Sequence, residues 1–174
     1  MLLRSFILVS ILFNFGSPSF GMADENWDVS IPRGELREIS FDTEEGTWMS
    51  LDISPDGRWI VFDLLGHIYK LDAKGAEATS LTQSSGIAMN NQPSISPDGR
   101  TIAFVSDRRG QENLWVMDAD GSNPRQIYND MAARISEPTW TPDGKSIVVT
   151  KRGESPSGFY RTVDSLWKFP RDGG

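Results

Sequence analysis

A Ser/Thr-Pro-Asp-Gly turn recurs at Ser54, Ser96 and Thr141, four β-type segments recur with it, and the strand after each turn is apolar on both faces. Together these predict an all-β fold, a β-propeller of four-stranded blades with about three blades present in an incomplete ring. The turn prolines Pro55, Pro97 and Pro142 are 42 and 45 residues apart, the period of one blade. Proline presets φ at the second turn position, aspartate tolerates the third, and glycine takes the left-handed conformation that closes the hairpin. The hydroxyl at the first position bonds the backbone ahead. The runs Trp59 to Phe62, Ile102 to Val105 and Ile147 to Val149 are too apolar for a sheet with one wet face, so each sheet is sandwiched between others. A helical solenoid is excluded because no long 3.6-residue apolar period occurs. A β-sandwich would not repeat both the turn and the strand after it.

In chain order, Arg4 precedes the apolar run Ser5 to Phe15 and then small residues, a secretory pattern that predicts a signal peptide over 1–21 and a linker over 22–35. "LREIS" from Leu36 stands where a fourth strand belongs, so 36–42 is expected to close the ring by completing the last blade. The first blade spans 50–82, with "HIYKLD" from His67 as third strand and "ATSLT" from Ala78 as fourth. The second spans 92–128, with "NLWVMD" from Asn113 and "PRQIY" from Pro124. The third spans 137–174 and is truncated: "SLWKFP" from Ser165 is its third strand, and the fourth would begin after Gly174. The expectation is an N-terminal piece of a longer product, or a short chain that associates.

The formal net charge of −7 argues against nucleic acid, which needs a concentrated basic surface. There is no cysteine, so the chain has neither disulfides nor a lipid-accepting cysteine after its signal. A secreted, periplasmic protein with no membrane segment after signal cleavage is expected.

"SPDGRTIAFVSDRRGQENLWVMDADGSNPRQI", Ser96 to Ile127, resembles the TolB-type, WD40-like (PD40) blade of exported bacterial proteins. That resemblance implies the fold, while the same blade serves TolB, peptidases of the prolyl oligopeptidase and tricorn types, and certain hydrolases. "EGTWMSLDISPDGRWIVFDLLGHIYKL", Glu45 to Leu71, with "WDVS" at Trp27, is similar to the start of exported amidohydrolases that carry such a propeller ahead of a metal-dependent barrel. His67 departs from that family, where an aspartate commonly follows the glycine. The narrower resemblance implies a noncatalytic module whose partner is its own C-terminal catalytic domain. It also implies a divalent metal, zinc, for that absent domain. The alternatives are a TolB-type propeller that binds another envelope protein and the propeller of an exported serine peptidase.

Within the 174 residues no catalytic or metal-ligating set emerges. His67 is the only histidine, and no G-x-S-x-G elbow or G-x-G-x-x-G loop occurs. "DADGSN" from Asp118 resembles a calcium loop but lacks the distal glutamate and stands where a hairpin turn is required. Trp115 and Trp167 share one position of the third strand and read as blade packing. Trp48, in the loop before the first strand, is a candidate exposed contact. In an up-and-down blade the Pro-Asp-Gly turns fall on one face and the irregular loops on the other, so the irregular face is the expected contact surface. Its candidate contacts are Trp48, Arg108, Arg109, Arg134, Arg152, Phe159, Tyr160 and Arg161, a cationic and aromatic set.

Overall fold

A computed structural model describes residues 29, 31, 32, 34–37, 42–154 and 162–173. The signal peptide, residues 38–41 of the closing strand, and Phe159, Tyr160 and Arg161 lie outside the described residues.

Among the described residues eleven strands form three antiparallel sheets in chain order. The first holds β1 (Leu51–Ile53), β2 (Trp59–Leu64), β3 (His67–Asp72) and β4 (Thr79–Ser80). The second holds β5 (Asn90–Ile95), β6 (Thr101–Ser106), β7 (Asn113–Asp118) and β8 (Arg125–Gln126). The third holds β9 (Arg134–Trp140), β10 (Ser146–Glu154) and β11 (Thr162–Pro170). Within each sheet every strand pairs only with its neighbours in sequence, which is the meander of a propeller blade.

The three repeated turns are built alike. Gly57, Gly99 and Gly144 have φ of 69°, 70° and 66°, and each donates its N–H to the carbonyl of the Ser or Thr three residues earlier at 2.8 Å. The hydroxyls of Ser54, Ser96 and Thr141 donate to Asp56, Asp98 and Asp143 at 2.8, 2.6 and 2.6 Å. The same oxygens accept the N–H of the first residue of β2, β6 and β10, at 3.1, 2.9 and 3.1 Å. Ser and Thr are interchangeable there because only the hydroxyl is used.

These bonds stabilise the ionised carboxylates. The Ser54 hydroxyl, then the Arg58 amide, lower the Asp56 pKa from 3.8 to about 2. Burial opposes ionisation of Asp98, but bonds from Ser96, Arg171 and the Arg100 amide outweigh it and hold the group far below the usual range. Asp120 and Asp143 are lowered chiefly by Ser122 and Thr141. A depressed folded pKa contributes stability that is present above the unfolded value and lost as pH falls through the folded one. The thermal midpoint is therefore expected to change little from neutrality down to about pH 4.5 and to fall steeply between about pH 4 and pH 2. Calorimetry across that range checks it, and a midpoint that holds or rises below pH 4 would contradict it.

Side-chain alternation then distributes the core between sheets rather than within them. Val61 and Ile68 of the first sheet meet Ile102, Phe104, Trp115 and Met117 of the second. From the opposite face of the second, Ala103, Val105, Leu114 and Val116 meet Ile147, Val149 and Phe169 of the third. All six residues of β6 are buried, as a strand between two sheets requires. The outer face of the first sheet keeps Leu51 and Ile53 exposed, beside Phe62 stacked on Tyr69 at 5.6 Å.

Candidate functional site

The β2–β3, β6–β7 and β10–β11 connections share one face with the links that run from one sheet to the next. That face concentrates exposed apolar side chains. Leu65 sits in the β2–β3 turn, Ile87 and Met89 in the link from β4 to β5, and Met131 in the link from β8 to β9. Trp48, ahead of β1, is fully exposed and has a φ of 62°. It has a register counterpart in Asn90, each lying six residues before the turn serine, but Asn90 is buried. On the opposite face the Pro-Asp-Gly turns and the β3–β4 and β7–β8 links carry no exposed large apolar side chain among the described residues.

Three of the arginines expected on the loop face, Arg108, Arg134 and Arg152, are engaged within the chain. Arg108 folds inward: its guanidinium lies 4.7 Å from the Trp115 ring centroid and donates to Asn90 Oδ1 at 2.9 Å and Ser106 Oγ at 3.1 Å. Arg134 faces Glu112 at 3.6 Å. Arg152 forms a two-pronged pair with Asp164, at 2.7 and 3.0 Å, and thereby lowers the Asp164 pKa. Arg109 is exposed. The apolar residues, more than the cations, distinguish this face.

Arg152 also lies on a strand rather than in a loop. The sequence "KRGESPSGFYRTVD" shows no clean alternation, yet β10 and β11 continue their pairing through Arg152↔Asp164, Gly153↔Val163 and Glu154↔Thr162. Those three pairs have no counterpart in the second sheet, where pairing stops at Ser106↔Asn113. The extension opens a cleft of about 460 Å³, lined by Asp130, Ala133, Lys151, Gly153, Val163 and Trp167 among others.

Charge in the cleft is internally balanced. Lys151 Nζ is 2.8 Å from Asp130 Oδ2 and donates to Tyr128 Oη at 2.7 Å, and Tyr128 donates to Asp130 at 3.0 Å. The Lys151 bond, followed by the Ala132 amide, lowers the Asp130 pKa to about 2. Asp130, followed by Tyr128, raises that of Lys151. The ammonium also lies 4.2 Å from the Trp167 ring centroid. Trp167, read as packing from its strand position, is 44% exposed, whereas its counterpart Trp115 is 6% exposed. None of Asp130, Lys151 and Gly153 was marked by a sequence motif. The only available signal was the mismatch between the second and third blades at Gly153, where the second has Arg108.

Among the described residues no group of three or more His, Cys, Asp or Glu could hold a metal ion. His67 opens β3, with Nδ1 3.3 Å from Thr82 Oγ1. No helix of the described residues is long and apolar enough to cross a membrane.

Comparison with known proteins follows the geometry. The family described as PD40, TolB beta propeller domain, matches residues 37–165. The uncharacterized peptidase YuxL of Bacillus subtilis is 42% identical over 72 residues, 41% of this chain and 11% of that protein. The Tol-Pal system protein TolB of Francisella tularensis is 28% identical over 155 residues, covering 60% of this chain and 35% of that one. Among solved structures, a putative TolB from Agrobacterium tumefaciens superposes with a TM-score of 0.57 at 30% identity, over 70% of this chain and 45% of that one. The chain thus spans less than half the length of each of these relatives.

Proposed function

Because the chain belongs to the TolB beta-propeller family, we propose that it is a noncatalytic module of an exported protein that holds another protein against its irregular-loop face. The observation that carries this reading is the segregation of exposed apolar side chains, Trp48, Leu65, Ile87, Met89 and Met131, onto that face. Isolated exposed apolar residues are ordinary, but aromatic and methionine side chains gathered on one face are the composition of a contact surface. Methionine in particular adapts to a partner because its side chain is unbranched and polarizable. The apolar run Ser5 to Phe15 behind Arg4 supports export.

Two surfaces fit. One is a separate envelope protein, favoured by the similarity to TolB, a protein of the Tol-Pal system. The other is a catalytic domain of the same product, favoured by the similarity to a peptidase of which this chain matches only 11%. The amidohydrolase resemblance of Glu45 to Leu71 is a special case of the second, with its metal in the catalytic domain. In both, the propeller positions a surface and carries no reaction itself.

Site-specific photocrosslinking in cells that export the chain tests this. A crosslinker in place of Leu65 or Met131 is expected to give at least about tenfold more protein adduct than one in place of Lys74 or Lys145 on the turn face, the discrimination of one buried contact residue. Equal yields from the two faces would refute the contact-face reading. Metal-dependent amide or ester hydrolysis by the chain would refute the noncatalytic one.

A further inference from the structure

The cleft formed by the third sheet and the β8–β9 link has a built-in standard of comparison, because the second blade solves the same local problem differently. There the β6–β7 connection is a short turn, and Arg108 returns from it to stack on Trp115 and bond Asn90. Trp115 is thereby buried. In the third blade the longer β10–β11 pairing puts Gly153 at the Arg108 position, and among the described residues Trp167 is met instead by the Lys151 ammonium, 4.2 Å from its ring centroid.

We propose that this cleft binds an uncharged aromatic side chain presented by a partner polypeptide. The inference rests on the reading of the loop face as a contact surface and names the chemistry of one contact on it. Three features select the occupant. The indole of Trp167 is 44% exposed even with the Lys151 ammonium over its ring, so a planar group suits the part left open. Lys151 and Asp130 neutralise each other at 2.8 Å, so a charged occupant would gain no net attraction while losing its hydration. The ammonium is already engaged, bonded to Asp130 and Tyr128 and lying 4.2 Å from the Trp167 ring centroid, while Ala132, Ala133 and Val163 give the cleft an apolar wall. A volume of about 460 Å³ lies within the size range of small-ligand pockets and admits an aromatic residue with its backbone amides.

The proposal is tested on the full chain by following the indole N–H resonance of Trp167, assigned with Trp167→Phe, during titration with N-acetyl-L-tyrosinamide. A saturable shift with a midpoint of about 1–10 mM is expected, as for a single weakly held side chain. N-acetyl-L-argininamide, the analogue of what fills the second blade, is expected to bind at least about tenfold more weakly. Gly153→Arg should abolish the shift by filling the cleft from within. A Cβ at Gly153 meets only the Ala133 Cβ at 3.8 Å, so the backbone accepts it. Val163→Trp, at an exposed position, blocks the same space and serves if Gly153→Arg does not fold. The absence of saturation in the unmodified chain, a shift retained in the blocked variant, or preferential binding of the argininamide would each overturn the proposal. Because the probe is a single amino-acid amide, these outcomes are independent of whether the crosslinking finds a partner.

Discussion

Phe104→Ala is expected to destabilise the chain by about 3–5 kcal/mol, the cost of deleting a fully buried aromatic ring from a site that cannot collapse. Among the described residues Phe104 is the largest side chain with no solvent exposure, and it lies in the layer formed by Val61 and Ile68 on one sheet and Ile102, Trp115 and Met117 on the next. Its surroundings are held on two sides by hydrogen-bonded strands, so the cavity would persist. The Arg108 guanidinium, 5.6 Å from the ring, would also lose part of its support. Phe62→Ala removes the same atoms from the outer face of the first sheet, where the ring is half-buried against Tyr69 and bordered by the exposed Leu51 and Ile53. Its cost should be roughly 1–2 kcal/mol, in proportion to the smaller area removed from water. Urea unfolding followed by tryptophan fluorescence compares the two variants. Equal losses, or the larger loss at Phe62, would show that the principal core is not the layer between blades.

What could be read from the sequence, and what could not, divides along the range of the interactions. The Ser/Thr-Pro-Asp-Gly turns were legible because every bond that defines them closes within five residues, from the Ser54 hydroxyl to the Trp59 amide at the longest. The β-propeller followed, since a strand apolar on both faces leaves a four-stranded sheet few alternatives. The loop face followed too, as a consequence of the meander. The occupants of that face were not legible. "NLW" and "SLW" are locally almost the same, yet Trp115 is buried, beneath Arg108 and beside β8, and Trp167 is half-exposed, on the edge strand β11 with Gly153 in place of that arginine. Arg108 looked like a surface cation because its partners Asn90 and Trp115 come from other strands. The extension of β10 and β11 was hidden because pairing across the sheet, rather than alternation along it, sustains those last three pairs.

Asp63 is the other position where a single substitution should have a large effect, and no motif announced it. It lies on β2 with 6% exposure, and its two carboxylate oxygens accept the Ser50 amide at 2.8 Å and the Gln92 amide at 2.6 Å. The second bond crosses from one blade to the next. Gln92 is the bulged residue of β5, where the pairing skips from Asn91 to Ser94, and its φ is 53°. Its side chain repeats the pattern one blade on: Gln92 Oε1 accepts the amide of Glu137, which has a φ of 56°. Each bulge therefore has an amide turned out of its own ladder and bonded by a side chain of the preceding blade. Asp63→Ala would leave two amides without their acceptor, at about 1–3 kcal/mol for each such group that stays buried, so a total loss of roughly 2–5 kcal/mol is expected. Asp63→Asn should fare little better despite its shape, because its amide nitrogen cannot accept the N–H that faces it. Hydrogen exchange separates this account from simple loss of packing. In either variant the Gln92 amide should lose protection well beyond the global destabilisation, while amides of the turn at Thr141 should slow or quicken only with the global change. Protection at Gln92 that falls no more than at Thr141 would mean that the blades are held together by the apolar layers alone and that the carboxylate contributes nothing specific to their junction.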